Sequence, residues 1–213
     1  MKVYKSKEGK EKILQSYDKL LTQWDCDKTE RDIATTYGST HVIECGNRNL
    51  PPLVLFHGVG DDSALMWIYN AAFLSKHFHI FAIDTIGGPG KSIPNENYNK
   101  DFDDILWIDQ VLDGLKIEKA FFAGVSNGGY LLQGFNNMAM SFHKVRVFTD
   151  SEVDSIREKI LYLAGEEDPF QKLGGKEALL SYHMNTVFYP DAGHGLNHEL
   201  AEEINQKIFE ELK

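Results

Sequence analysis

Gly124-Val125-Ser126-Asn127-Gly128 decides how this chain is read. It lies between an apolar run, Ala120-Phe121-Phe122-Ala123, and a helix-like run, Gly129-Tyr130-Leu131-Leu132. The stretch is therefore a G-x-S-x-G turn set between a strand and a helix. A sharp strand-to-helix turn that pushes a serine hydroxyl out of a sheet crowds the backbone two residues before and after the serine. Only very small side chains fit there, which accounts for Gly124 and Gly128. The helix that follows aims free N–H groups and its positive end at the serine. G-x-S-x-G also arises by chance in a chain with 18 glycines. Its weight comes from its setting and its partners.

A serine hydroxyl is a poor nucleophile at neutral pH. It needs a base, the base needs an orienting carboxylate, and the tetrahedral oxyanion needs N–H donors. Upstream, Leu53-Val54-Leu55-Phe56 reads as a buried strand running into His57-Gly58-Val59-Gly60. Downstream, Lys159-Ile160-Leu161-Tyr162-Leu163-Ala164 reads as a strand that ends in Gly165-Glu166-Glu167-Asp168-Pro169. Thr186-Val187-Phe188-Tyr189 reads as a last strand leading to Asp191-Ala192-Gly193-His194-Gly195. The order is serine, acid, histidine, with both partners in loops just after strands, where open parallel sheets carry their sites. Glu166 and Glu167 compete with Asp168 for the acid position. Asp191 reads as a turn former. His198, near the start of an acidic helix, reads as a surface residue. His41, His77, His79, His143 and His183 have no motif around them and read as surface or half-buried residues.

These motifs resemble the α/β-hydrolase superfamily. The matching residues are His57-Gly58, Asp84 with Gly88, Gly90 and Ser92, the Ser126 turn, Asp168 and His194, spanning roughly residue 33 to the C-terminus. The front of the chain, Ser6-Lys7-Glu8-Gly9 and Tyr17-Asp18-Lys19, is similar to bacterial carboxylesterase-type members. The resemblance implies Ser126 as nucleophile, His194 as general base and then acid, and Asp168 as the carboxylate orienting it. It implies the backbone N–H groups of Val59 and Asn127 as oxyanion donors, with His57 anchoring their loop.

Two other patterns do not hold. Gly87-Gly88-Pro89-Gly90-Lys91-Ser92 is close to a phosphate-binding P-loop, but the first glycine of G-x-x-x-x-G-K-[ST] would fall on Thr85. Pro89 also removes an N–H that would hold phosphate. His194 and His198 are four apart, but H-E-x-x-H needs glutamate where Gly195 stands, so no metal is expected.

The 213 residues suffice for one domain with a single core, and 42% hydrophobic content suits a globular chain. No run reaches the roughly 20 apolar residues of a membrane span. The start, Met1-Lys2-Val3-Tyr4-Lys5-Ser6-Lys7, has no apolar signal core, and Cys26 and Cys45 form no C-x-x-C. A cytoplasmic protein with free thiols is the expectation. A net charge of −10 argues against nucleic acid and anionic membrane as partners.

Residues 7–24 show helical spacing of Ile13, Leu14, Tyr17, Leu20, Leu21 and Trp24, within an N-terminal helical extension over 1–30. Asp32 to Cys45 reads as an antiparallel pair around Tyr37-Gly38-Ser39. Strands then alternate with helices near 63–75, 101–115, 127–139, 174–182 and 198–212, which argues for parallel strands with crossovers. The expected fold is α/β of the α/β-hydrolase type. It has a mostly parallel central sheet, an antiparallel N-terminal strand pair and helices on both faces, all in one domain over 1–213.

Only 42 positions separate Ser126 from Asp168. Most family members insert a strand and a cap domain there. Here 140–157 is short, with room for one strand over Lys144 to Phe148 and one helix over Asp150 to Glu158, so the cap is absent or minimal. An uncapped site is open to water, which weakens oxyanion contacts. Met66, Trp67, Tyr130 and Phe170 are candidate pocket walls, since each lies close in sequence to a motif loop. The expected function is a serine carboxylic-ester hydrolase acting through an acyl-enzyme on small or aryl esters. It needs no cofactor, and a second copy of the chain could cover the open site. Thioester or amide hydrolysis by the same triad, or ligand binding without turnover, are the alternatives.

Overall fold

The computed structural model describes Tyr4, residues 6–126, Gly128 and residues 149–213. It divides into two compact units, Met1–Val145 with Phe209–Lys213, and Arg146–Ile208. The helix expected near 127–139 and the strand expected over Lys144 to Phe148 lie outside the described residues.

The first unit opens with helix α1, Lys7–Leu21. Ser6 caps it by accepting the Gly9 N–H at 3.0 Å, and Glu8 and Lys19 sit at the ends that suit their charges. The helix stops short of Trp24 because Gln23 and Trp24 bond three residues back, to Leu20 and Leu21, tightening the last turn. Trp24 is buried, and its indole N–H donates to the Ala64 carbonyl.

Strands β1 (Lys28–Thr35) and β2 (Gly38–Cys45) form the expected antiparallel pair, in register from Thr35↔Gly38 to Lys28↔Cys45. β3 (Pro52–Phe56), β4 (His79–Ile83) and β6 (Phe121–Gly124) complete the order β1-β2-β4-β3-β6, with β3 parallel to both β4 and β6. β3 lies inside the sheet between β4 and β6, and Leu53 to Phe56 are wholly buried. An unbroken apolar run is what a strand covered on both faces requires. A two-residue strand, β5 (Ile93–Pro94), adds to β2 at Gly38 and Ser39. Position 38 must be glycine there, since a Cβ would lie 2.1 Å from the Ile93 carbonyl oxygen.

The helix expected over 63–75 is instead two single turns, α2 (Ser63–Met66) and α3 (Ala71–Leu74). Asp62 caps α2 through the Leu65 N–H, and the chain leaves helical geometry at Trp67, whose side chain is buried. Helix α4 (Asp104–Leu115) is capped by Asp103 and ended by Lys116 in the left-handed conformation. It buries Trp107, Val111 and Leu115 in a core with Val54, Phe56 and Ile83. Cys26 and Cys45 are free thiols.

The second unit begins with α5 (Asp150–Ile156), closed by a capping box between Thr149 and Glu152. Strands β7 (Tyr162–Gly165) and β8 (Thr186–Tyr189) pair in parallel from Tyr162↔Thr186 to Gly165↔Tyr189. Between them lie a 3-10 turn, Pro169–Leu173, and α6 (Gly175–Ser181). After β8 come α7 (Leu196–Glu199) and α8 (Ala201–Glu211). The helix expected from 198 starts at Ala201, because Leu200 leaves helical geometry at φ −125°. The small core of this unit is Tyr189, Ala192, Leu196 and Ile204. No helix among the described residues is long and apolar enough to cross a membrane.

Candidate active site

β6 ends at Gly124, in register with Phe56 of β3. The Val125 N–H then donates to the Phe56 carbonyl at 3.1 Å, and the Gly128 N–H to the Val125 carbonyl at 2.9 Å. The chain therefore reverses over 125–128, and Ser126 takes the left-handed conformation at φ 52°. That conformation costs an L-residue roughly 1–2 kcal/mol. A Cβ on Gly128 would lie 2.3 Å from the Phe56 carbonyl oxygen, so only glycine lets the turn sit on β3. Asn127 and Tyr130 lie outside the described residues.

The loop after β3 abuts this turn. A methyl group on Gly58 would touch Ser126 Cβ, the Val125 carbonyl oxygen and Met66 Cε, each at 3.4 Å. Val59 follows, half-buried. His57 is fully buried, with Nε2 accepting the Thr85 N–H at 2.9 Å and Nδ1 lying 2.7 Å from the Gly58 carbonyl. Nε2 is the acceptor, so Nδ1 carries the proton and donates to Gly58. The ring ties the loop after β3 to the loop after β4, and both nitrogens are used in doing so.

Asp84 organises the loop after β4. Its buried carboxylate accepts the Ser63 N–H at 3.0 Å and the Lys91 N–H at 2.8 Å. Ser92 Oγ donates to the Asp84 carbonyl and accepts the His41 N–H. Gly90, at φ 112°, leaves no room for a side chain, since a Cβ would lie 2.5 Å from Asp84 Oδ2. The stretch from Gly87 to Ser92 thus wraps an internal carboxylate. Beside it, burial pushes the Asp62 carboxyl above its ordinary range; the Leu65 N–H opposes this and the Asp84 charge adds to it.

In the second unit, His194 Nδ1 lies 2.7 Å from Asp168 Oδ2, while Asp168 Oδ1 accepts the Phe170 N–H at 2.8 Å. The Asp168 side chain is 14% exposed and the His194 side chain 58%, so the carboxylate is sheltered and the ring faces outward. Glu166 is drawn away to Lys176 at 2.6 Å. Asp168 is the acidic residue of 166–168 that bonds His194. The approach depends on Gly165, where a Cβ would lie 2.2 Å from the Ala192 carbonyl oxygen and 2.3 Å from that of Gly193. Asp191 supplies the left-handed turn before them, at φ 57°.

The pocket candidates differ in setting. Met66 is buried against Gly58, and Trp67 is buried with its indole N–H unpartnered among the described residues. Phe170 is 45% exposed and lies over Gly175. His41 and His79 are more enclosed than the sequence suggests. His41 bonds Asp32 and Glu30, and His79 bonds Glu44, so each buried ring is held by carboxylates. Among the described residues no cluster of three His, Cys, Asp or Glu side chains is placed to hold a metal ion. Glu199 is exposed and carries no motif in the sequence. Its carboxylate bonds the Gly193 and Gly195 N–H groups on either side of His194.

The family described as the alpha/beta hydrolase fold matches residues 51–133. Carboxylesterase YbfK of Bacillus subtilis is 36% identical over 124 residues, covering 58% of this chain and 42% of its own. The uncharacterized carboxylesterase nap of Bacillus subtilis is 38% identical over 121 residues, covering 57% of this chain and 40% of its own. The chain thus spans less than half the length of these curated relatives. Among solved structures, naproxen esterase (carboxylesterase NP) from Bacillus subtilis superposes with a TM-score of 0.82 at 24% identity, covering 99% of this chain and 100% of that one. Carboxylesterase CesB (YbfK) from the same organism gives a TM-score of 0.80 at 23% identity, covering 94% and 97%. The chain has the α/β-hydrolase fold, and part of its sequence is similar to these carboxylesterases.

Proposed function

We propose that the chain is a serine carboxylic-ester hydrolase that works through an acyl-enzyme. The observation that carries this reading is the 2.7 Å hydrogen bond between Asp168 and His194. Nδ1 donates to the carboxylate, so the neutral ring has its lone pair on Nε2, which is the base a serine needs. Ser126 Oγ attacks the ester carbonyl as Nε2 takes its proton. The N–H groups of Val59 and Asn127 hold the oxyanion. Nε2 then protonates the leaving alcohol, and the same nitrogen activates the water that releases the acid. The left-handed Ser126, seated on β3 by Gly128, supports the nucleophile assignment.

In this reading the site has no full cap, because only 42 positions separate Ser126 from Asp168. An open site favours small or aryl esters with little selectivity.

The test is hydrolysis of p-nitrophenyl acetate, butyrate and octanoate by folded, monodisperse wild type beside Ser126→Ala. Turnover should fall by about 10³-fold or more in the variant. Equal rates in both proteins would remove the assignment.

A further inference from the structure

We propose that Glu199 is a positioning residue for His194, holding its backbone while Asp168 holds its ring. The inference rests on the function proposed above. Glu199 Oε2 accepts the Gly193 N–H at 2.7 Å and Oε1 accepts the Gly195 N–H at 3.1 Å. These two amides flank His194, so one carboxylate spans the histidine. The Glu199 N–H closes the ring by donating to the Gly195 carbonyl at 2.9 Å. The Ala192–Gly193 and His194–Gly195 peptide planes are thereby held by charge-assisted bonds, which are shorter and stronger than neutral ones.

The local sequence is built for this contact. A Cβ on Gly193 would lie 3.1 Å from Oε1, and one on Gly195 would lie 3.3 Å from it. A side chain at either position would press on the carboxylate. Glycine on both sides of His194 lets the carboxylate lie flat against the main chain. An exposed glutamate is ordinarily solvated and free to rotate; here both oxygens are taken by backbone donors. α7 is a single turn, too short to hold the loop by its own hydrogen bonds. With the ring fixed at Nδ1 by Asp168 and the Cα fixed by Glu199, the direction of Nε2 is set at two points.

A residue that only aims a base should affect kcat and leave KM alone, because substrate binding does not use it. Glu199→Ala removes both acceptors. Glu199→Gln keeps one oxygen and turns an N–H₂ towards the other amide. Glu202→Ala changes an exposed charge on α8 and serves as control.

The experiment measures kcat and KM on p-nitrophenyl butyrate for these three variants beside wild type and Ser126→Ala. It also records the low-field proton of the His194 Nδ1–H by NMR. In Glu199→Ala, kcat should fall by about 10- to 100-fold with KM unchanged, and the low-field proton should broaden or vanish. Glu199→Gln should lie between, and Glu202→Ala should match wild type. Wild-type kcat together with an intact low-field proton in Glu199→Ala would overturn the assignment. If circular dichroism shows Glu199→Ala unfolded, Glu199→Gln decides by the same two readouts. If Ser126→Ala equals wild type, the ester-hydrolase reading fails instead, and the proton signal alone decides whether Glu199 holds His194.

Discussion

The two loops that carry the candidate chemistry are held by different forces. The Ser126 turn rests on β3, whose residues from Leu53 to Phe56 are wholly buried, and His57, at the start of the loop that abuts it, is buried as well. Its closest constraint is steric, with Gly128 pressed on the Phe56 backbone. The His194 loop rests on two four-residue strands that are mostly half-buried, beside a core of four buried side chains. What shapes it is a set of polar bonds, from Asp168 to the ring and from Glu199 to the main chain. Packing on β3 sets the serine, and the histidine is set by hydrogen bonds together with the close approach of Gly165 to the Ala192 and Gly193 carbonyls. Loss of a polar partner should therefore damage the second loop more than the first.

The largest break in this contrast is Gly128→Val. A Cβ there would sit 2.3 Å from the Phe56 carbonyl oxygen, and a backbone cannot yield as a flexible side chain can. Destabilisation above about 4 kcal/mol, or failure to fold, is expected in thermal melting. A near wild-type melting temperature would mean that the turn does not lie on β3.

His57→Leu comes next. It strips a partner from the Thr85 N–H and from the Gly58 carbonyl, each of which then costs about 1–3 kcal/mol if left unpaired and buried. The urea midpoint should drop accordingly. An unchanged midpoint would show that the loop after β3 is held by packing alone.

The smallest effect tests charge inside the packed unit. Burial raises the Asp62 carboxyl, and the nearby Asp84 charge raises it further. A raised carboxyl means the folded state favours the protonated form, so the ionised form costs stability at neutral pH. That cost disappears as pH falls through the raised value. Asp62→Asn keeps an oxygen for the Leu65 N–H and removes the charge. It should raise stability at pH 7 by about 1 kcal/mol, and the gain should vanish in acid. A loss at pH 7 would show that the charge itself is needed there.

Much of the frame was legible in the sequence. The apolar runs at 53–56, 80–83 and 186–189 are strands, and the Gly-x-Ser-x-Gly turn lies where β6 ends. What escaped depends on contacts between distant residues. The resemblance favours Asp168, but residue type and position alone leave Glu166 and Glu167 open, because the contact is made by Gly165 meeting the backbone of Ala192 and Gly193. β5 is two residues long and contains a proline, so it leaves no periodic signal, and only its fit against Gly38 reveals it. The run over 63–75 is apolar at helical spacing, yet the cap at Asp62 and the departure at Trp67 divide it. Glu199 stands in no motif of the sequence. Its role comes from glycines four and six residues upstream, where an empty Cβ position is the signal.

The left-handed serine has a consequence for how this chain would drift. At φ 52° a glycine would be more comfortable than any residue with a Cβ. Selection for stability alone would push position 126 towards glycine, the one replacement that relaxes the backbone while deleting the hydroxyl. In a lineage released from any need for turnover, the proposed nucleophile would be lost along a stabilising path. On the function proposed above, the strain at position 126 is the cost of keeping a hydroxyl there.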